Sequence, residues 1–402
     1  MKVGAVFMKH RGSNSKGGAA VRTKLVATSL TAVLVMGTLM VTLPASATTK
    51  KVVTCYKLVS NVVHTEKFHG ACAAGWSKNK PKPKPLTAVT LTLDDNIPAG
   101  GALNTWLSQW VSNVESQSKG KISITEYAQN VLYTNVASVP AVQSNELNMS
   151  FVDVGSITDA LPNFGAMELP IPGITDTQLA EYSGPTGSLF TAEQKYLGQH
   201  GLYIIPTPSF LPSSQAMMLK APITSLSQLT GQKIRSIGGS MDTLLQGLGA
   251  DPIDMPSSQV PTSLQTGAIS GAVGSLGVMS TTWAGLGDEA VVFGNLIPGI
   301  YWMVVSSAEW AKLSVADRDF LTATWQAEYN SYKPLEAGSE TNQESQWLAT
   351  KGNQIYRPTS AENAQLATIA TSIWTSFSTS APSFYSAAVA TGKKFKISLP
   401  VK

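Results

Sequence analysis

Three arginines follow residue 47, namely Arg235, Arg318 and Arg357, and one of them is oddly placed. Arg235 stands in LTGQKIRSIGGS (229–240), inside a short apolar stretch that two glycines and a serine close off. A lone cation in a half-buried strand is costly unless it is paired or hydrated. A guanidinium can grip a carboxylate through two parallel hydrogen bonds, a geometry that lysine cannot copy. Gly238-Gly239-Ser240 then opens the helical stretch MDTLLQGLG. A helix start offers unpaired N–H groups and a partial positive charge. Arginine and helix end together describe an anion site. The structural alternative is a salt bridge from Arg235 to Asp242 or Asp254.

Other chemistry is poorly supplied. Of four histidines, His10 is in the leader, His64 and His69 lie between the cysteines, and only His200 is in the body, in a surface or capping setting. There is no G-x-S-x-G elbow, no G-x-x-x-x-G-K-[ST] phosphate loop and no G-x-G-x-x-G helix opening. Asp94-Asp95 could do acid–base work, but adjacent acids at a strand end are more often solvated or capping groups. Arg318, between Asp317 and Asp319, reads as a surface ion pair of small worth, and Arg357, before Pro358, as structural. The residues describe a binding protein, not an enzyme, with no cofactor and no metal.

The elements that must position Arg235 begin after a leader. Residues 1–24 carry six Lys/Arg and no acid, residues 25–43 are an uncharged, mostly apolar run, and Ala45-Ser46-Ala47 supplies a small-residue cleavage site. That is the pattern of a signal peptide over 1–47 and of an extracytoplasmic protein, and the run is also long enough to stay as a membrane anchor if uncleaved. Residues 1–85 hold 14 Lys/Arg against one acid, whereas 86–402 hold 15 against 24. The basic balance is leader and linker, and a mildly acidic body argues against a nucleic-acid partner. Cys55 and Cys72 are the only cysteines. In an exported chain they read as a disulfide stapling a small hairpin unit over 48–77. Zinc on Cys55, His64, His69 and Cys72 is the alternative, with spacings unlike a standard finger. The Lys/Pro run KNKPKPKP (78–85) is an extended linker.

The body alternates strand and helix. AVTLTL, KISITEY, NMSFVDVG, GLYIIPTP, QKIRSI, DPIDM, GAISGAV and IYWMVVSS read as strands, and 102–116 places Leu103, Trp106, Leu107, Trp110 and Val114 at helical spacing. After Ser314 the chain reads as long helices broken near Pro334. The fold class is α/β, with parallel-type sheets covered by helices and ligands at the carboxyl ends of strands. Its 317 residues suit two lobes.

Several blocks resemble one family, the solute receptors of tripartite ATP-independent periplasmic (TRAP) transporters of the C4-dicarboxylate-receptor type. Gly231-Gln232-Lys233-Ile234-Arg235 resembles the family's G-x-K-[IL]-R strand, LGADPIDMPSSQVPTSLQTGAISG (248–271) its L-G-A-x-P…L-Q-T-G run, and MSFVDVGSITDALPNFGAMELP (149–170) its strand and loop ending in L-P. The resemblance covers roughly 88–330. It implies a two-lobed periplasmic-binding-protein-like architecture with a hinge and long C-terminal helices. Lobe I would take 86–210 and 300–325, lobe II 211–299, and 326–402 would pack on both. Arg235 would close on a ligand carboxylate, and the partner would be a membrane permease.

Departures from the family pattern bear on the ligand. Gly274 stands where the family carries an asparagine, and Ser214, followed by Gln215, where many relatives carry a second arginine. A monocarboxylate in a roomier, more apolar cleft is therefore expected. Tyr301 and Trp302 match the strand that passes the cleft, and an indole there could cover an apolar ligand body, with core packing the equal alternative for both. Asn96, after Asp95, could also meet the ligand, with loop capping the better reading for Asp95. A secreted hydrolase and a cell-surface adhesion or sensor protein are the competing functions.

Overall fold

In the computed structural model, 13 strands among the described residues form three sheets. The described residues are 51–59, 62–95, 97, 102–128, 131–207, 215–296, 298–336 and 339–401. The leader expected over 1–47 lies outside them.

The first sheet is the expected hairpin, β1 (Val52–Val59) antiparallel to β2 (Val62–His69). Cys55 and Cys72 are joined as a disulfide, so neither thiol is available to zinc. Ser77 bridges back to Tyr56, and the ring of Trp76 meets Phe68 edge-on at 5.4 Å.

The next strands are β3 (Val89–Asp95), β4 (Ile122–Tyr127), β5 (Met149–Asp153) and β6 (Leu202–Ile204). They join β12 (Tyr301–Ser306) in the order β4-β3-β5-β12-β6. A second lobe holds β7 (Gln215–Leu219), β8 (Lys233–Ser236), β9 (Asp251–Asp254), β10 (Gly271–Ser275), β11 (Glu289–Val292) and β13 (Gln354–Tyr356). Their order is β13-β11-β7-β10-β8-β9. Strands β3, β4 and β5 are mutually parallel, as are β8, β9 and β10, so in each lobe several carboxyl ends point one way. The chain passes between the sheets after β6 and again before β12.

Helical spacing in 102–116 is realised as the helix Ala102–Ser118, whose Leu103, Trp106, Leu107, Trp110 and Val114 are all buried. Trp325 of the helix Val315–Glu336 fills the space between Trp106 and Trp110, at 5.3 and 4.8 Å. That helix runs two residues past Pro334, and the next begins at Ser339. The C-terminal segment is not wholly helical: β13 comes from it and adds an edge to the second sheet, parallel to β11. The helix Ser360–Ser380 ties the lobes together. Its Leu366 is in the core of the second, while Ile373 and Trp374 are in the core of the first, where the indole donates to the Pro170 carbonyl at 2.8 Å. Among the described residues no helix is long and apolar enough to cross a membrane.

Candidate functional site

Strand register decides which way Arg235 points. Arg235 is paired with Ala272 and Ile253, Ala272 with Met218, and Gly274 with Ala216. Paired residues share a face of a sheet. Ala216, Met218 and Ala272 belong to one core cluster with Trp283 and Trp347, so Arg235 and Gly274 lie on that face. Ile234 and Val273 alternate onto the opposite face, under the helix Gly239–Gly247.

Arg235 is 5 % exposed. Its Nε donates to the Met255 carbonyl at 3.0 Å and its Nη1 to the Val273 carbonyl at 2.6 Å. Two of its five N–H groups are thus placed on the protein, and the edge that runs through Nε is closed to a ligand. What remains is the Nη1–Nη2 end. Among the described residues no carboxylate stands within ion-pair distance of it, and the salt bridges to Asp242 or Asp254 do not form. Burial depresses the guanidinium pKa, and the fields of Tyr301, Asp153 and Asp254 oppose that shift.

The first lobe supplies the facing groups. Tyr301 and Asp153 are partners in register where β5 ends and the antiparallel β12 begins, and Asp95 of β3 is paired with Phe151 on the same face. Asp153 is 5 % exposed and accepts from the Ser156 N–H at 3.0 Å and its hydroxyl at 2.9 Å. Burial raises its pKa, whereas the Ser156 hydrogen bonds and Arg235 lower it. Burial likewise pushes the half-buried Tyr301 phenol up, with Asp153 adding and Arg235 opposing. The carboxyl ends of strands from both lobes therefore converge on one guanidinium.

Not every expected group joins them. Trp302 alternates away from Tyr301 and is fully buried, its ring 5.6 Å from Phe190 in the core of the first lobe. Gln215 is paired with Ser275, on the face opposite Arg235 and Gly274, and its amide lies against Gly299. Asn96 and Ser214 lie outside the described residues. Asp95 caps its loop, accepting from the Ile97 N–H and the Asn104 amide at 3.0 Å each. Burial lifts Asp94, and the half-buried Glu126 beside Asp95, to about 7 each. His200 caps the helix Ser188–Gln199, its Nδ1 2.9 Å from the Tyr196 carbonyl oxygen. Arg357 pairs with Glu344 at 2.5 Å on the surface. The ion pair expected of Arg318 is absent among the described residues, because Asp317 is engaged by Thr87 and Ser314.

The helix end beside Arg235 is not an open anion site. Glu168 and Asp159, both from the first lobe, stand against it. A Cβ built at Gly238 would be 2.7 Å from Asp159 Oδ2, and one at Gly239 2.5 Å from Glu168 Oε2. Those glycines have φ of +81° and +56°, which other residues adopt at a cost. Glu168 is 1 % exposed; burial and the neighbouring Asp153, Asp159 and Asp242 raise its pKa well above the ordinary range, and the Ser240 N–H opposes them. Burial lifts Asp159 to about 7, with Asp254, Asp153 and Asp242 adding and the Gly239 N–H opposing. Sequence reasoning placed an external anion where the protein puts its own carboxyl groups.

Two further residues carried no sequence signal. Trp283 sits in the turn STTWAGLG, outside any periodic pattern, yet its ring lies 5.9 Å from Arg235 Cζ. Glu168 ends the short 3-10 turn Ala166–Glu168, and only the fold brings it to Gly239.

Residues 96–380 match the family described as bacterial extracellular solute-binding protein, family 7. A solute-binding protein of Albidiferax ferrireducens is 25 % identical over 222 residues, which are 53 % of this chain and 62 % of that protein. The chain thus spans somewhat less than two thirds of that relative's length. A Bordetella pertussis extracytoplasmic solute receptor that binds pyroglutamic acid superposes with a TM-score of 0.67 at 16 % identity, covering 76 % of this chain and all of the other. A TRAP periplasmic solute-binding protein from Desulfovibrio desulfuricans, with bound sn-glycerol-3-phosphate, gives 0.69 at 18 % identity, over 77 % and 98 % of the two chains. The sugar acid binding protein of Advenella mimigardefordensis, in complex with galactonate, gives 0.67 at 16 % identity, over 77 % and 99 %. At these identities the superpositions establish the two-lobed fold. With the family match over 96–380, they identify the chain as a member of family 7 of the bacterial extracellular solute-binding proteins.

Proposed function

We propose that this chain is an extracytoplasmic receptor that captures a small organic monocarboxylate between its lobes on Arg235 and delivers it to a TRAP-type membrane permease. The observation that carries the reading is the state of Arg235: 5 % exposed, held by two carbonyls, and without a carboxylate partner among the described residues. A buried cation so placed is strongly destabilising when alone and favourable when an anion reaches it. Only its Nη1–Nη2 end is open, which fits two carboxylate oxygens side by side. Tyr301 would form the opposite wall, with Ser214 and Asn96 near the ligand, and the Trp283 ring, packed where a side chain at Gly274 would stand, would lie beside the cation. Lobe closure would remove water from the pair and strengthen it. The ligands bound by the three similar structures are anions, in keeping with a cationic clamp. One carboxylate matches the one guanidinium, which is why a monocarboxylate is favoured over a dicarboxylate. No bond in the ligand is made or broken.

The test is a thermal-shift screen of the purified chain against small mono- and dicarboxylates, with Arg235→Ala and Arg235→Lys alongside. A ligand at a hundred times its Kd adds about 2.7 kcal/mol of stability. A monocarboxylate should raise Tm in the wild type and in neither variant. Preference for dicarboxylates would refute the finer reading, and turnover of any acid would refute the receptor.

A further inference from the structure

The face that carries Arg235 also carries Gly274, and the volume that a side chain at 274 would need is filled by Trp283. A Cβ built at Gly274 would stand 2.7 Å from both Cζ3 and Cη2 of that indole. These atoms belong to the carbon edge of the six-membered ring, away from the indole N–H. The same ring lies 5.9 Å from Arg235 Cζ, and Val273, whose carbonyl holds Nη1, is the residue before Gly274. Trp283 is 1 % exposed, and its N–H has no partner among the described residues. The wall beside the guanidinium is thus aromatic carbon. Its π face suits a cation, but its carbon surface offers a ligand hydroxyl nothing stronger than a weak O–H···π contact.

We propose that Trp283 is a specificity-determining residue of the carboxylate site. It selects acids whose carbon next to the carboxylate bears a methyl or similar apolar group over the analogue bearing a hydroxyl. A hydroxyl turned to the ring would give up its hydrogen bonds to water for that weak contact alone. This rests on the reading of Arg235 as the carboxylate clamp.

Isobutyrate and lactate differ by a methyl for a hydroxyl on that carbon and are otherwise of one shape, so titration calorimetry of the full chain with each isolates the contact. The wild type should bind isobutyrate on the order of ten- to a hundredfold more tightly than lactate. Trp283→Phe keeps a carbon wall and should keep the preference. Trp283→Ala combined with Gly274→Asn removes the ring, relieves the 2.7 Å contact and puts an amide in its place. That pair should lower the ratio at least about tenfold. Equal binding of the two acids by the wild type overturns the proposal whether or not the double variant folds. So does a double variant that melts cooperatively and keeps the wild-type ratio. Arg235→Lys separates the two readings: loss of both acids there, with a wild-type ratio near one, sinks the role of Trp283 alone. Binding that survives Arg235→Lys, or no binding of either acid to the wild type, overturns the clamp and this inference with it.

Discussion

Glu168 of the first lobe stands so close to Gly239 of the second that a side-chain carbon at 239 would be 2.5 Å from its Oε2. The same carboxyl lies 3.4 Å from the position of a Cβ at Gly155, so it is enclosed between glycines of opposite lobes. Three glycines, 155, 238 and 239, thus mark a close contact between the lobes. An alanine at 239 would meet both the carboxyl and an unfavourable φ of +56°. Gly239→Ala should hold the lobes apart and raise the Kd for a bound acid about tenfold or more, a change of 1.4 kcal/mol. Small-angle scattering with saturating ligand should still report the open dimension. Unchanged affinity and compaction would show that this contact is not part of the closing surface.

The same carboxyl makes closure sensitive to pH. Burial between the lobes raises the pKa of Glu168 above its ordinary 4.5, and Asp159 rises from 3.8 to about 7. Asp159 is exposed, so solvent screens its share and Glu168 carries the larger effect. A group whose closed-state pKa exceeds its open-state value favours closure fully below the open value and loses that advantage as pH rises through the closed one. Asp153, Asp242 and Asp254 face the same region and push the same way, while Arg235 opposes them. Affinity should therefore fall as pH rises from about 4 toward 7 and beyond. Isobutyrate itself titrates near the low end, so calorimetry is best run from pH 6 to 8.5. Glu168→Gln, which mimics the protonated form, should flatten the slope. A slope that survives in Glu168→Gln would assign the proton elsewhere.

How much of this was legible beforehand depended on whether the signal was local. Arg235 announced itself because a cation inside a short strand is an anomaly in any fold. Strands β3 and β4 are readable from runs of β-branched residues, and the helix over 102–118 from apolar spacing. By contrast, β7 (QAMML) and β11 (EAVV) are buried along their whole length and show no alternation. Trp283 and Glu168 are defined by partners 9 and 71 positions away, at Gly274 and Gly239, which no local pattern encodes. The helix end at Gly239 was recognised as a place for an anion, but its occupant comes from the other lobe. Of the two readings open for Trp302, core packing is the one the fold realises, because neighbours on a strand face opposite ways.

The hairpin should be separable from the body in its response to reductant. Cys55–Cys72 closes a loop with a sequence separation of 17. Closing a loop of that size is worth roughly 3 kcal/mol. The hairpin has a small core of its own, with Cys55 buried and the Phe68–Trp76 pair beside it. Reduction should speed amide exchange over β1 and β2 and let trypsin cleave the loosened backbone at the already exposed Lys57 and Lys67. Melting of the body and acid binding should not change. A drop in the body's Tm on reduction would mean that the hairpin packs as part of the receptor.

Asp317 fastens the start of the body to its longest helix. It accepts from the Thr87 N–H at 2.9 Å, the Thr87 hydroxyl, the Ser314 N–H at 3.1 Å and the Ser314 hydroxyl at 2.6 Å, while its own N–H donates to Ser314 Oγ at 3.1 Å. Ser314 and Asp317 thus form a reciprocal cap for the helix Val315–Glu336, and Thr87 is tied to it just before β3. Burial works to raise the Asp317 pKa, but these hydrogen bonds prevail and hold it below 3.8. Asp317→Ala removes the cap and leaves several donors without a partner, which should cost about 2 kcal/mol at neutral pH. A group with a depressed folded-state pKa contributes its stability above the unfolded value and loses it as pH falls through the folded one. The gap between wild type and Asp317→Ala in urea unfolding should therefore be full at pH 7 and shrink below about pH 4. Asp317→Asn, which keeps an acceptor and loses the charge, should fall between them. A gap that stays constant down to pH 3 would show that packing around residue 317, not its charge, supplies the stability.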